Sequence, residues 1–405
     1  MEKVTFTTKE LVEKIDPLMK VIPSKPIIPI LNNLVFIFED HKTAIYASDL
    51  QSIMSIEIEM ENNFNCQISI PAKIFTETIK KINEDKITFE INDKDHQMCI
   101  KTNNGEYLIN GEDTKGFPSF EMGERKTKFE FVSKTIKKEL EKAISVVGQE
   151  NLKPVLNGVF FDFKDENKRS LIATDIHRLI QIDLGATEKE NAKSKAEENY
   201  GGDPTQESSF CKEEDISIDE TLSFILSKKT CQILISILPE DEKIQLEVND
   251  KFFCIKVKDI FFISNTIQGK YPDYKNAFPQ NNPNILTVNR NKLLDSLKRI
   301  LSFTNTLSYK IKIEIKENDI RIHITGENEN FDNKAEEYIE CSYEGENITI
   351  LYNVKYVIDM LENMSSEDVV FFLSKANERG FSYQASLIKE KGGNAFSGLI
   401  MPMIE

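Results

Sequence analysis

The sequence predicts an α+β fold made of three copies of one domain. Three observations carry this prediction: motifs recur along the chain, helical segments occur as one pair per copy, and the segments between them alternate apolar and polar residues. Such alternation marks strands that bury one face, which a pair of amphipathic helices can cover. We therefore expect each copy to pack two helices on antiparallel sheets.

The first two copies are related by an offset of 125 or 126 residues. Residues 29–34, Pro-Ile-Leu-Asn-Asn-Leu, return as Pro-Val-Leu-Asn-Gly-Val at 154–159, and both run into an aromatic-rich strand. Ala-Ser-Asp at 47–49 returns as Ala-Thr-Asp at 173–175. A fixed spacing of this length indicates a duplicated structural unit.

The spacing grows inside the second copy. An aromatic-Pro-x-aromatic unit at 117–120 returns at 271–274, which is an offset of 154 residues. Residues 185–215 account for the excess. They are rich in Glu, Lys, Ser and Gly and poor in large apolar residues, a composition that predicts a mobile surface insertion.

Helical segments reveal the third copy. Three segments with a polar cap and helical periodicity each follow a short strand, and three more are each followed by an acidic turn and a strand. The predicted helices are residues 8–22, 71–82, 133–147, 227–238, 289–303 and 353–364. The turns that end the first two copies then give predicted domains of 1–124, 125–281 with the insertion, and 282–405.

Composition places the chain among globular proteins. Apolar residues make up 40% of it and charged residues 29%, and no apolar run reaches the roughly 18 residues of a membrane span. The six cysteines stand singly, which favours reduced thiols over a zinc site or a disulfide framework. The N-terminal residues show no signal-peptide core. We expect a cytoplasmic protein with no membrane partner, metal or cofactor.

Charge is distributed unevenly along the chain. The formal net charge is −16, yet the six predicted helices together carry +8, and only the segment 353–364 is negative. Lysine is a good helix former, so a solvated face is the simple interpretation of each helix taken alone. Five non-negative helices in so acidic a chain favour a second interpretation, a positive surface that holds a polyanion by its backbone without reading bases.

Five motifs, in this order along nearly the whole chain, resemble one family, the bacterial DNA polymerase III beta subunit or DNA sliding clamp. The motifs are KPIIPILNNL at 25–34, ATDIHRL at 173–179, GKYPDYKNAFP at 269–279, YNVKYVIDML at 352–361 and LIMPMIE at 399–405. The resemblance implies three clamp domains per chain. It also implies a homodimeric ring, joined head to tail, whose helices surround duplex DNA. Such a ring acts as a processivity factor.

The resemblance assigns two binding surfaces. One lines the ring and holds double-stranded DNA independently of its sequence. The residues implied for it are Lys25, Lys73, Lys80, Lys81, Lys137, Lys138, Lys142, Gln149, Lys228, Lys229, Lys298 and Arg299. The other is a pocket for linear peptides of the DNA polymerase III alpha subunit, the clamp loader and repair proteins. The residues implied for it are Leu156, Thr174, His177, Arg178, Leu179, Pro272, Asn353, Tyr356, Leu399, Ile400, Met401, Pro402 and Met403.

The chain departs from the family pattern beside this pocket. Asn276 stands where a basic residue often follows the Tyr-Pro-Asp-Tyr turn, and Ile404-Glu405 stands where one often follows Met-Pro-Met. Side chains of Leu, Ile, Met and Tyr still offer an adaptable apolar groove. The departures therefore bear on which peptides bind and leave the fold prediction unchanged.

A catalytic alternative rests on Asp175 and His177. They are two residues apart, which on a strand places both side chains on one face. A repeat-built hydrolase could use such a pair. No nucleophile motif, phosphate-binding glycine loop or metal-ligand cluster accompanies them in the sequence, so we expect a non-catalytic accessory subunit.

Overall fold

The chain divides into two compact units in the computed structural model. The first unit contains residues 1–137 and 229–266, and the second contains residues 138–228 and 267–405. The structure describes residues 2–60, 63–119, 127–148, 153–165, 168–185, 222–317, 319–328 and 331–404. Gln149 and nearly all of the predicted insertion 185–215 lie outside these residues. The boundary between the units runs through the predicted middle domain, and the division into three domains stays a prediction.

Six α-helices occur in the described part of the chain, and each lies inside one of the six predicted segments. They are α1 Thr8–Met19, α2 Ala72–Ile79, α3 Ser133–Val146, α4 Lys228–Ile237, α5 Arg290–Leu301 and α6 Val354–Glu362. The side chains of Asn289 and Asn353 accept hydrogen bonds from the backbone N–H groups of Lys292 and Lys355. These caps satisfy N–H groups that a helix start leaves unpaired, so α5 and α6 begin at fixed residues.

Each third of the chain contributes eight strands in the same order around its two helices. The first third contains β1 Glu2–Thr7, β2 Asn33–Glu39, β3 Lys42–Ser48, β4 Ser52–Glu59, β5 Cys66–Pro71, β6 Lys86–Asn92, β7 Gln97–Lys101 and β8 Glu106–Asn110. The second contains β9 Thr127–Val132, β10 Gly158–Asp165, β11 Lys168–Thr174, β12 Arg178–Asp183, β13 Leu222–Ser227, β14 Lys243–Val248, β15 Phe252–Val257 and β16 Ile260–Asn265. The last contains β17 Asn284–Asn289, β18 Lys310–Ile315, β19 Arg321–Asn328, β20 Asn333–Glu344, β21 Ile348–Asn353, β22 Asp368–Leu373, β23 Ser386–Glu390 and β24 Phe396–Ile400.

The strands form three sheets, and all their ladders are antiparallel, which confirms the predicted fold class. The first unit holds a four-stranded sheet in the order β1-β6-β7-β8 and an eight-stranded sheet in the order β5-β2-β3-β4-β16-β15-β14-β9. The second unit holds a twelve-stranded sheet in the order β13-β10-β11-β12-β24-β23-β22-β17-β20-β19-β18-β21. Pairing of β4 with β16, and of β12 with β24, carries a sheet from one third of the chain into the next.

Apolar side chains of helices and strands interlock inside each unit. In the first unit, the Phe75 ring on α2 meets the rings of Phe36 and Phe89 edge-on, with centroids 5.2 Å and 5.6 Å away. In the second, the Phe161 and Phe224 rings stack across β10 and β13 at 4.5 Å. Aromatic pairs at these distances add stability beyond the area they bury.

Among the described residues, one carboxylate of the first unit pairs with two lysines, and the cysteines form no disulfide. Glu90 on β6 accepts ion pairs from Lys3 at 2.6 Å and Lys101 at 3.0 Å. The five cysteines in the described residues are free thiols, and burial raises the pKa of the Cys66 thiol to about 12. No helix within the described ranges combines the length and the hydropathy that crossing a bilayer requires.

Candidate functional site

The turn between β11 and β12 is fixed by hydrogen bonds of its own side chains. The Asp175 carboxylate accepts the backbone N–H groups of His177 at 3.1 Å and Arg178 at 3.0 Å. The Thr174 hydroxyl donates to the Arg178 carbonyl at 2.6 Å and accepts the N–H of Ile176. Ile176 adopts a left-handed φ of 81°, which a β-branched residue keeps only when its surroundings enforce it. The turn therefore presents His177 in one defined position.

Arg178 joins three elements of the second unit. Its Nε lies 2.9 Å from Asp175 Oδ2 and its Nη1 lies 2.6 Å from Asp359 Oδ2 on α6, while its Nη2 donates to the Ser145 carbonyl at 3.2 Å. The guanidinium group is almost completely buried and stands 4.6 Å from the centroid of the Tyr356 ring. The planar fork of an arginine side chain suits several partners at once, so Arg178 fixes the end of α3 and the middle of α6 against β12.

The Tyr356 ring is covered by Arg178 and His177. The His177 imidazole stacks on it with centroids 5.9 Å apart and an interplanar angle of 17°. Burial raises the pKa of the Tyr356 hydroxyl, and the nearby Asp175 carboxylate adds to that rise. We call His177, Arg178 and Tyr356 the aromatic platform. It offers a flat, half-exposed face with a neutral hydroxyl.

An apolar floor lies in the same unit. Its residues are Leu156, Phe160, Ile172, Leu179, Ile225, Tyr271, Tyr274 and Leu399. The Tyr271 ring stacks on Phe160 at 4.5 Å, and the Tyr274 hydroxyl donates to Asp162 at 2.8 Å. The aromatic-Pro-x-aromatic unit at 271–274 is thus anchored on β10, and Pro272 stands exposed between its two buried tyrosines.

The C-terminal segment runs beside the platform. The Met401 N–H donates to the His177 carbonyl at 2.8 Å, and the Met403 N–H donates to the Leu351 carbonyl at 2.7 Å. Met401 is exposed and Pro402 is buried. Ile400 is also fully buried.

The predicted pocket residues therefore share one unit, and most are tied together by direct contacts. Asn353 caps α6 and donates to the Ser308 carbonyl at 3.2 Å, which sets the helix that carries Tyr356. Sequence reasoning missed Asp359 and Ser145. A signal for Asp359 existed, because it lies three residues after Tyr356 and so on the same side of α6.

The contacts of Asp175 and His177 give the hydrolase alternative no support. The Asp175 carboxylate is occupied by two backbone N–H groups and the Arg178 guanidinium, and the His177 ring stacks on Tyr356. No group of three His, Cys, Asp or Glu side chains in the described part of the chain is arranged to hold a metal ion. Asp175 holds the turn between β11 and β12, and His177 forms part of the aromatic platform.

Six of the predicted DNA-binding cations form ion pairs, five of them with carboxylates outside their own helix. The pairs are Lys80 with Asp16, Lys137 with Glu240, Lys142 with Glu139, Lys229 with Asp49, Lys298 with Glu362 and Arg299 with Glu337. Lys80, Lys298 and Arg299 are exposed, and Lys137 and Lys229 are half-buried. Lys142 is the most buried of the six, with its side chain 14% exposed beside a fully buried Glu139 at 2.9 Å. This burial argues against a DNA contact for Lys142.

The remaining predicted cations differ in exposure. Lys25, Lys73, Lys81 and Lys138 are exposed and have no ion pair within the described residues. Lys228 is half-buried and donates to the Val147 carbonyl at 3.2 Å; burial lowers the pKa of its ammonium group, and the Arg178 charge lowers it further. Of the predicted cations, Lys25, Lys73, Lys81 and Lys138 are therefore the most available to a polyanion.

Comparison with known proteins gives one consistent result. A family model described as DNA polymerase III beta subunit, N-terminal domain, matches residues 2–121, and one described as the C-terminal domain of the same subunit matches residues 275–404. The beta sliding clamp of Haemophilus influenzae is 23% identical over 98% of this chain and 99% of its own length. Two solved structures each match over 100% of this chain and 100% of their own chain. One is a sliding clamp (DNA polymerase III subunit beta) from Bartonella birtlesii bound to griselimycin, with a TM-score of 0.85 and 20% identity. The other is the DNA polymerase III subunit beta from Pseudomonas aeruginosa, with a TM-score of 0.84 and 19% identity.

Proposed function

Because this chain belongs to the DNA polymerase III beta subunit family, we propose that it works as a DNA sliding clamp, a homodimeric ring that encloses duplex DNA in the bacterial cytoplasm. The ring tethers the DNA polymerase III alpha subunit, the clamp loader and repair proteins, and performs no chemistry itself. The observation that carries this proposal is that models of the N-terminal and C-terminal domains of one subunit match the two ends of this chain.

We assign DNA contact to cations that form no ion pair within the described part of the chain. Lys73 lies on α2 and Lys81 follows it in the first unit, Lys25 lies in the loop after α1, and Lys138 lies on α3 in the second unit; all four are exposed. Phosphate attraction of this kind is weak per contact and independent of base sequence. Such contacts let a closed ring move along DNA while topology keeps it in place.

The test compares retention on circular and linear DNA. Loaded protein should remain on nicked circular DNA and leave the same DNA after linearisation, because a ring can only slide off an end. A double substitution, Lys73→Gln with Lys81→Gln, should weaken direct DNA binding and lower its dependence on salt concentration. Lys94→Gln is the matched control, since Lys94 is exposed in the turn between β6 and β7. Equal lifetimes on circular and linear DNA would contradict the sliding ring.

Partner peptides dock on the aromatic platform and the apolar floor. A flat aromatic surface can bind varied apolar peptides, and so can Met and Leu side chains. The Arg178 guanidinium is already paired with Asp175 and Asp359, so it does not require an acidic residue in the peptide. Griselimycin is a suitable probe because a related clamp binds it.

The peptide proposal is tested by titrating griselimycin into the full chain and measuring heat release. Tyr356→Ala should weaken binding at least tenfold, since loss of a central aromatic contact typically costs about 2 kcal/mol. Tyr338→Ala is the matched control, because Tyr338 also stacks on a histidine, His323, at 4.5 Å, but on β20. Equal losses in both variants would place the peptide site elsewhere.

A further inference from the structure

We infer that Lys355, held on the ring of Tyr309, forms a cationic subsite at one end of the peptide pocket and selects partner peptides that carry an acidic residue. This inference rests on the proposed function, in which the aromatic platform and the apolar floor hold a linear peptide. It adds a charge preference to that site and names the side chain that sets it.

The ion pairs of α6 leave its lysine without an acidic partner. The helix carries one cation, Lys355, and two acids, Asp359 and Glu362. Arg178 of β12 pairs with Asp359 at 2.6 Å, and Lys298 of α5 pairs with Glu362 at 2.7 Å. Lys355 is exposed and forms no ion pair within the described ranges. Because cations of other elements neutralise both acids, the start of α6 presents an unbalanced positive charge.

An aromatic ring holds the side chain of this lysine. The Lys355 Nζ atom lies 3.6 Å from the centroid of the Tyr309 ring, which is a cation–π contact. An ammonium group carries three N–H donors, and a ring covers only one side of it. The remaining donors can therefore bind a carboxylate. A side chain that is already ordered also loses less conformational freedom when it binds a ligand.

Hydrogen bonds hold the loop of Tyr309 against the start of α6. The Tyr309 N–H donates to the Asn305 carbonyl at 2.7 Å, and the Val354 N–H donates to the Tyr309 carbonyl at 2.8 Å. The Asn353 amide donates to the Ser308 carbonyl at 3.2 Å. Tyr309 adopts a left-handed φ of 51°, which a bulky residue keeps only when its surroundings enforce it. The ring is therefore in place before any peptide binds.

The C-terminal segment links this subsite to the rest of the pocket. Leu399 belongs to the apolar floor. The Met401 N–H then donates to the His177 carbonyl in the platform, and the Met403 N–H donates to the Leu351 carbonyl on β21. Since β21 leads directly into α6, the order along the pocket is apolar floor, aromatic platform, cationic subsite. Four residues separate Leu399 from Met403, so an extended peptide that fills the floor reaches the subsite with a residue about four positions away.

Two other cations of this unit are less suited to bind a peptide carboxylate. Arg178 is almost completely buried and is shared by Asp175 and Asp359. Lys228 is half-buried and donates to a backbone carbonyl. An exposed ion pair contributes at most about fivefold in affinity, which is enough to rank peptides of equal apolar content. We therefore attribute the charge preference to Lys355.

The test measures the affinity of synthetic peptides for the full chain by calorimetric competition with griselimycin. One peptide is Asp-Ser-Gly-Ser-Leu-Phe with blocked ends; two others carry Asn or Lys in place of Asp, and all three are also made with the sequence reversed. In one of the two directions the Asp peptide should bind about fivefold tighter than the Asn peptide, and the Lys peptide should bind more weakly than both. The preference should shrink when salt rises from about 50 mM to about 500 mM, because salt screens exposed charges.

Substitutions assign the preference to its residues. Lys355→Gln should remove the preference for Asp over Asn without weakening the Asn peptide, and Lys355→Arg should restore it. Lys375→Gln is the matched control, since it removes an exposed lysine of the same unit and should keep the preference. Tyr309→Phe keeps the ring and should behave like the natural chain, whereas Tyr309→Leu should reduce the preference.

The outcomes separate the inference from the proposed function. Equal affinity for the Asp and Asn peptides, a preference that survives Lys355→Gln, or failure of every peptide to displace griselimycin overturns the inference and leaves the clamp proposal standing. Weaker DNA binding in Lys355→Gln, with an unchanged peptide preference, assigns this lysine to DNA and also overturns the inference. If griselimycin does not bind, or binds equally well after Tyr356→Ala, the proposed peptide site itself is wrong.

Discussion

Replacing Arg178 with glutamine should detach the turn before β12 from α3 and α6. The substitution keeps a polar side chain of intermediate length but removes the charge and the fork. It breaks the ion pairs with Asp175 and Asp359, the hydrogen bond to the Ser145 carbonyl and the contact with the Tyr356 ring.

The expected cost follows from the burial of the partners. Breaking a buried ion pair by removing one member typically costs about 3–5 kcal/mol. Here Asp175 keeps two backbone N–H donors and Asp359 is 39% exposed, which reduces the cost to about 2 kcal/mol. Loss of the cation–π contact adds about 0.5–1 kcal/mol. We therefore expect the Arg178→Gln chain to lose about 3 kcal/mol of unfolding free energy in the second unit.

Hydrogen exchange followed by mass spectrometry suits this measurement, because the two units need not unfold together. Amides of β11 and β12 should exchange faster in Arg178→Gln by the factor that corresponds to this free energy, and griselimycin binding should weaken in parallel. Arg178→Lys should resemble the glutamine variant, since lysine lacks the planar fork. Arg379→Gln, at an exposed arginine of the same unit, is the control. A loss below about 0.5 kcal/mol, the usual range for surface substitutions, would refute the reasoning.

Two further predictions concern stability. The ammonium groups of Lys3 and Lys101 form hydrogen bonds with the Glu90 carboxylate and hold its pKa below its ordinary value. The carboxylate therefore stabilises the fold above its unfolded-state pKa, and this stabilisation is lost as the pH falls through its folded-state pKa. The melting temperature of the natural chain should thus fall more steeply below about pH 5 than that of Glu90→Gln, and equal pH profiles would contradict this. Gly158→Ala should destabilise the second unit by about 3 kcal/mol, because a Cβ would lie 2.3 Å from a backbone carbonyl of β13. Urea titration of both variants checks this: Gly185→Ala should be nearly neutral, because its Cβ would lie 3.5 Å from Asp183 Oδ1.

Local patterns sufficed to predict the helices. Each of the six lies inside its predicted segment, because helical periodicity and capping depend on residues within a few positions of each other. The helix starting at Arg290 illustrates this: Asn289 caps it, and its first buried leucine, Leu293, follows at helical spacing. The antiparallel sheets were likewise predicted from alternation. The strand partners at the junctions were not, since Met54 and Phe262 lie far apart in sequence.

The ion pairs of α5 could not be predicted from neighbouring residues in the sequence. The sequence count treated Arg299 and Lys298 as free cations of one basic helix, yet Arg299 forms two hydrogen bonds with Glu337 and Lys298 lies 2.7 Å from Glu362. These acids stand on other elements. A count along the chain cannot assign them, because an ion pair depends on which side chains folding brings together.

Spacing and pattern along the chain were enough to predict the threefold repeat, the fold class and the family, since these features are local to the sequence. Folding sets which of the repeated positions acquire different contacts. The repeated aspartates illustrate this, because Asp49 pairs with Lys229 of α4 in the first unit, whereas Asp175 pairs with Arg178 of β12 in the second. Copies of one sequence pattern acquire different surroundings only when distant strands pair, so long-range contacts alone decide that difference.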